Sequence, residues 1–260
     1  MNKTAKKNRL DAEVVKRGLV STLEKAKALI MAGDILVDCQ VTYKADIKIS
    51  EDRHIEIKEK YPFVSRGATK IEKAFIDFNI PVKGLKVLDI GISTGGFTDY
   101  MLQNGAETVC GVDVNIRQVD DKLKQDKRVL LLQANARTLE PANIPFEPDL
   151  ITMDVSFISV TKILPALATF KKARVLTLIK PQFEVKKEEV EKGGIIRDKD
   201  KRINILLELK QKIQRLGYAV TGFATAGTAG RKGNLEYFFL LDYGKNNSIS
   251  DTIIADGIKI

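Results

Sequence analysis

Chemistry in this chain is concentrated where apolar runs stop. Val87-Leu88 rises into Asp89, and Gly91, Ser93, Thr94, Gly95 and Gly96 follow before Phe97 opens a helix. Glycines so placed let the backbone take positive φ or approach a ligand closely. An α/β domain builds a nucleotide pocket this way, at the carboxyl end of its first strand. Asp89 could hold a positively charged group above that strand end. The spacing departs from Gly-x-Gly-x-x-Gly, so a dinucleotide is not indicated, and a bare β-to-α turn would use the same glycines. Asp113, Asn135, Asp154, Lys180 and Glu236 also fall at the margins of apolar runs. Asp113 suits a ribose diol, because a carboxylate accepts two hydroxyl protons. A nicotinamide cofactor would want the same carboxylate, and Asp at a strand end also serves turns.

Other chemistry is excluded by what is scarce. His54 is the only histidine and Cys39 and Cys110 are the only cysteines. That removes zinc centres and Ser-His-Asp hydrolysis, leaves no disulfide framework, and points to a reducing interior and no metal. The net charge of +9 favours a polyanionic partner, since Lys and Arg release counterions from phosphates. A basic but otherwise ordinary enzyme would carry it too. The basic start, Met1 to Arg9, precedes no apolar stretch of signal length, and no run reaches the length of a membrane span. The expectation is a soluble cytoplasmic protein with no membrane partner.

The elements that must position these residues form an α/β pattern. Strands are expected at Lys86–Ile90, Thr108–Asp113, Val129–Leu132, Asp149–Asp154 and Arg174–Ile179, with a long helix over Lys199–Leu216. Tyr218–Thr225 and Glu236–Asp242 close the pattern. The fold class is therefore α/β: a mostly parallel Rossmann-like sheet with helices on both faces and an antiparallel edge. A further helix is expected over Ile71–Phe78. Upstream, Arg9–Val15 reads as a short helix ending near Gly18. Ser21-Thr22-Leu23-Glu24 reads as a capping box for a second helix that ends at Gly33. Short strand-like runs follow at 35–37, 41–43, 47–49 and 54–57. The organisation expected is a small module at 1–60, a linker at 61–66, a large domain at 67–244 and a patternless tail at 245–260.

Arg9-Leu10-Asp11, Arg17-Gly18-Leu19-Val20, Lys25-Ala26-Lys27-Ala28-Leu29-Ile30, Ala32-Gly33 and Ile35-Leu36-Val37 resemble the S-four-type RNA-binding domain. Where that family carries Asn-Gly at its hairpin, this chain has Asp38-Cys39, which leaves the turn geometry open. Downstream, Asp89-Ile90-Gly91-Ile92-Ser93-Thr94-Gly95-Gly96-Phe97-Thr98-Asp99 resembles the donor loop of the TlyA/FtsJ-type 2′-O-ribose RNA methyltransferases. Ser65-Arg66-Gly67-x-x-Lys70, Asp154-Val155-Ser156-Phe157, Lys180-Pro181-Gln182-Phe183-Glu184 and Gly233-Asn234-x-Glu236 match TlyA motifs in order.

The resemblance implies S-adenosylmethionine as cofactor and ribosomal RNA or ribosomal subunits as partner, with a cytidine ribose as acceptor. It assigns Lys70, Asp154, Lys180 and Glu236 to a Lys-Asp-Lys-Glu catalytic tetrad, with Lys180 as base. It assigns Asp89, Gly91, Ser93, Thr94, Gly95, Gly96, Phe97, Asp113, Asn135 and Asp154 to the cofactor, and Arg9, Arg17, Lys25, Lys27 and Arg66 to RNA. A lysine can take the 2′-hydroxyl proton only when neutral, a form that burial or a nearby cation favours. Three other readings stay open: a non-catalytic RNA-binding or ribosome-assembly protein, a membrane-active haemolysin, and a nicotinamide oxidoreductase. Phe157 and Phe183 could stack a flipped base or simply pack.

Overall fold

The computed structural model describes residues 7–57, 62–191, 193–227 and 233–258. The chain divides into two compact units, Met1–Pro62 and Phe63–Ile260. The first six residues and residues 58–61, which hold the start of the expected linker, lie outside the described residues. The rest of that linker is built into the larger unit: the Val64 amide donates to Asp99 Oδ2 at 2.8 Å.

The small unit packs helices Leu10–Lys16 and Leu23–Ala32 over two sheets. One sheet orders Gln40–Val41, Ile35–Val37 and Ile55–Ile57; the other pairs Lys7–Arg9 with Lys48–Ser50. Leu10, Val14, Ala26, Ile30 and Ile35 are sealed in its core. The second helix is capped one residue later than expected. Thr22, still extended at φ −138°, accepts from the Lys25 amide, so Ser21 lies outside the cap. The hairpin keeps two positive φ angles without glycine, 48° at Asp38 and 65° at Cys39. Asp38 accepts the His54 amide at 2.8 Å and pairs with Arg53, which holds the strained turn in place.

In the larger unit seven strands form one sheet: β1 Lys86–Ile90, β2 Thr108–Asp113, β3 Val129–Gln133, β4 Leu150–Met153, β5 Arg174–Ile179, β6 Tyr218–Thr225 and β7 Tyr237–Tyr243. Their spatial order is β3-β2-β1-β4-β5-β7-β6, parallel from β3 to β5, with β7 antiparallel to both neighbours. Alternate residues feed two cores. Leu88, Ile151 and Val175 face one side; Val87, Leu150 and Leu176 face the other. Helices α1 Gly67–Asp77 and α2 Gly96–Gln103 pack together, and α3 Lys199–Arg215 packs on β6.

The expected tail is folded. α4, Asp251–Gly257, lies on α3 and β6 with Ile254 and Ile258 buried. The buried Lys210 of α3 anchors it, donating to the Ile249 carbonyl at 2.5 Å and to Asp251 at 2.6 Å. Ile249, Ile253, Ile254 and Ile258, spread through a short polar stretch, give too weak a period to read from sequence.

Candidate active site

Every expected site residue of the larger unit lies at or next to the carboxyl edge of the parallel strands, where such sheets open a crevice. The loop after β1 is built by close backbone contact. Gly91 has φ +80°, and a Cβ there would stand 2.3 Å from the Asp154 carbonyl oxygen, so only glycine lets the exits of β1 and β4 meet. At Gly96 a Cβ would lie 2.2 Å from Ser65 Oγ, which seats the start of α2 against the residues leading into α1.

Asp89 is placed beneath this loop rather than facing a ligand. It is 1% exposed; Thr98 Oγ1 donates to one of its oxygens at 2.6 Å and Thr152 Oγ1 to the other at 2.7 Å. Burial pushes its carboxyl up to about 6, against the pull of the two hydroxyls and helped by Asp154 and Asp113. Phe97 is buried too, its ring packed on Phe238 at 6.1 Å. Both side chains brace the loop from below, which sequence position alone could not distinguish from ligand contact.

The ligand side of the loop is polar and small. Ser93, at φ +52°, and Thr94 are exposed, and Gly95, at φ +101°, begins α2. Half-buried Asp113 ends β2 and holds the Ser93 amide at 3.0 Å and the Asn115 amide at 2.9 Å. A carboxylate has room for more acceptor contacts than these two, so a ribose diol remains within its capacity. Asn135 is exposed just beyond β3, and its Oδ1 caps the turn at the Arg137 amide.

Asp154 follows β4, Lys180 follows β5, and Glu236 precedes the antiparallel β7, whose Tyr237 is in register with Ile179. Three neighbouring strands therefore present acid, lysine and acid side by side. Lys180 forms an ion pair with Asp154, and its Nζ donates to Ser156 Oγ at 3.0 Å. From α1, Lys70 Nζ reaches Glu236 at 2.6 Å. Lys180 is 8% and Glu236 5% exposed, so both are charged groups withdrawn from water and matched by a partner. Glu184 ties the exits of β4 and β5 together, accepting from Ser159 Oγ at 2.5 Å and from the Val160 amide at 3.1 Å. Burial raises its carboxyl, and those two bonds oppose the rise.

From the residues next to Ser156 and Lys180 opens a cleft of about 410 Å³, lined by Phe157, Gln182, Phe183, Val185, Val190 and Gly194 among others. Phe157 is 88% exposed with φ +65°, and its ring meets Phe183 at 4.9 Å. A bulky residue held at positive φ with its ring in solvent is not placed for core packing. Gln182 Oε1 is buried and has no hydrogen-bond partner among the described residues.

The expected RNA-contact residues divide. Lys25, Lys27 and Arg66 are exposed. Arg9 is forked onto Asp11 yet half exposed, on a groove of about 530 Å³ that Lys7, Lys16 and Lys48 also line. Arg17 is structural instead. Its guanidinium donates to Glu13 and to the carbonyls of Glu51 and Arg53, closing the small unit on itself. Among the described residues no group of three or more His, Cys, Asp or Glu side chains could hold a metal ion.

The strand order, the antiparallel β7, the glycine loop after β1 and the acid ending β2 define a Rossmann-like methyltransferase. Residues 63–243 match the FtsJ-like methyltransferases, and the chain belongs to that family. It is similar to the 16S/23S rRNA (cytidine-2′-O)-methyltransferase TlyA of Mycobacterium tuberculosis, 36% identical over 98% of this chain and 97% of that protein. Hemolysin A of Brachyspira hyodysenteriae is 42% identical over 88% of this chain and 97% of its own length. The solved structure of a candidate hemolysin from Streptococcus thermophilus has 36% identity and a TM-score of 0.73, covering 96% of this chain and 95% of its own.

The protein is thus an enzyme, and its methyl donor is S-adenosylmethionine. The nicotinamide reading is set aside by the same match. The residues present suit the donor: Asp113 for a ribose diol, the small loop residues for the methionine portion, and an acid at the adjoining strand end for a sulfonium.

Proposed function

We propose that the protein methylates the ribose 2′-hydroxyl of a cytidine in ribosomal RNA. One observation carries this reading: two lysine–carboxylate pairs, Lys180–Asp154 and Lys70–Glu236, each with one buried partner, stand side by side at the strand edge next to the glycine loop. The donor supplies an activated methyl group on a sulfonium. What remains for the protein is alignment, worth roughly 7–11 kcal/mol at the extreme, and removal of the hydroxyl proton. Lys180 Nζ, steadied by Asp154 and Ser156, takes that proton as the neutral amine, after the ammonium of the Asp154 pair has given up one proton to solvent. Lys70 and Glu236 position the ribose hydroxyl from the other side. Asp113 holds the donor's ribose, Ser93 and Thr94 line its methionine portion, and Asp89 keeps the loop in shape.

The cleft beside Lys180 receives the base of the target nucleotide, taken out of its stack, against the exposed ring of Phe157. The small unit serves as an S-four-type RNA-binding module that contacts phosphates through Lys25, Lys27 and the Arg9 groove. Arg66 adds a further phosphate contact. Such a substrate implies a cytoplasmic protein.

The reading is tested by incubating the protein with methyl-labelled donor and ribosomal subunits. Transfer to RNA is expected, with Lys180→Ala reducing it by at least about a thousandfold while donor binding is kept; general-base losses commonly run 10²–10⁴. Absence of transfer by the wild type, or undiminished transfer by the variant, sinks the mechanism. The haemolysin reading has its own check, dye release from liposomes by pure protein. Among the described residues no helix is long and apolar enough to cross a membrane.

A further inference from the structure

One wall of the Phe157–Phe183 cleft comes from the segment after β5, through Val185, Lys187, Val190 and Gly194. This segment has little regular structure of its own. The Glu191 amide reaches the Ile195 carbonyl at 3.2 Å, the Gly194 amide returns to the Glu191 carbonyl at 3.0 Å, and Arg197 folds back onto Glu191. Such a loop needs an external seat to keep one shape. Two buried side chains supply it, and both belong to the neighbourhood of Glu236.

Asn234 is 5% exposed and uses both ends of its amide on the loop. Its Nδ2 donates to the Gly194 carbonyl at 2.8 Å, and its Oδ1 accepts the Ile196 amide at 3.3 Å. Arg202 of α3, also 5% exposed, donates Nη1 to the carbonyls of Ile196 at 3.1 Å and Arg197 at 2.5 Å. The same guanidinium lies against the Tyr237 hydroxyl, the residue after Glu236. Two positions before Glu236, then, Asn234 is engaged with the cleft wall, while the Glu236 carboxylate itself holds Lys70.

We propose that Asn234 is a positioning residue, which with Arg202 sets the substrate-side wall of the cleft against the strand that carries Glu236. The chemistry explains the residue type. The loop offers one carbonyl and one amide at adjacent places, and a buried carboxamide is the short side chain that satisfies a donor and an acceptor at once. Asp would set an oxygen against the Gly194 carbonyl, and Ala would leave the buried Ile196 amide unpaired and release the Gly194 carbonyl. The wall meets the RNA and not the donor, so the effect of losing its seat falls on RNA. The inference rests on the proposed reading of the cleft as the site of the target nucleoside.

The test compares wild type, Asn234→Ala, Asn234→Asp and Arg202→Lys as full chains. The readouts are KM for ribosomal RNA, donor affinity by calorimetry, melting temperature, and amide hydrogen exchange at Ile196. Asn234→Ala should raise KM for RNA about tenfold, on the scale of a buried hydrogen-bonding group left unpaired. Donor affinity should stay at the wild-type value, and Ile196 should exchange faster. Arg202→Lys, which keeps the charge but loses the fork, should show the same pattern. Asn234→Asp should protect Ile196 but still raise KM.

Unchanged RNA kinetics in a folded Asn234→Ala variant would overturn the proposal. So would equal losses of donor and RNA affinity, the mark of a general structural role. If Asn234→Ala does not fold, the other two variants carry the same readings. If the wild type transfers no methyl group, the proposed activity fails. Exchange at Ile196 and RNA affinity measured by filter binding then still decide whether Asn234 seats the wall.

Discussion

Lys180 and Asp89 show how differently two charged residues at the same edge of one sheet are used. Lys180 is buried yet aimed at the crevice, whereas both Asp89 oxygens are turned inward to Thr98 and Thr152. Asp89 gives the protein a definite pH response. Its native midpoint of about 6 lies above the ordinary 3.8, so the folded protein binds this proton more tightly than the unfolded chain. The stability tied to Asp89 is full below about pH 4, falls as pH rises, and is gone above about pH 6. A rise of about two units corresponds to roughly 3 kcal/mol. Denaturant unfolding between pH 4 and 7 should show this decline in the wild type and a flatter profile in Asp89→Asn. Equal slopes would contradict the assignment. The residue types and strand-end positions were legible because each marks the end of an apolar run. Whether an acid turned to solvent or to a buried threonine was not, since that depends on partners such as Thr152, 63 positions away.

Elements were legible where a period ran long enough. β1, β2 and β5 lie where apolar runs placed them, since a central strand buried on both faces leaves a continuous signature. Short features were not. The cap at Thr22 lies one residue from the expected box, and α4 was invisible because Ile254 is its one buried residue. That helix is nevertheless part of the fold. Ile254→Ala should destabilise the protein by about 2–5 kcal/mol, the usual cost of a truncated core side chain. A denaturation midpoint equal to that of the wild type would mean that the segment is a loose tail. The loop after β5 was read only as a motif. Its role as a cleft wall emerges from Arg202 in the helix that follows it and from Asn234, which approaches from 40 positions away.

At the scale of the whole molecule, the charge of +9 and the catalytic edge bear on a single partner. Phosphate contacts make binding salt-dependent, each contributing close to one unit to the slope of log affinity against log salt. Replacing exposed Lys25 and Lys27 together by Glu should weaken ribosomal RNA binding and reduce that slope by about 2, with donor affinity unchanged. An unaltered slope would mean that RNA does not use this helix face. Arg17 offers a contrast, because its loss should act through the stability of the small unit that it closes.

The central claim is that the two lysine–carboxylate pairs move a methyl group onto a ribose 2′-oxygen. A 2′-O-methyl group blocks alkaline cleavage of the following phosphodiester, so the most direct measurement is a cleavage map of ribosomal RNA after incubation with donor and enzyme. The account predicts a new resistant position at a cytidine, present with wild type and absent with Lys180→Ala. Methyl label on a base or on protein, or the same resistant position made by Lys180→Ala, would contradict it.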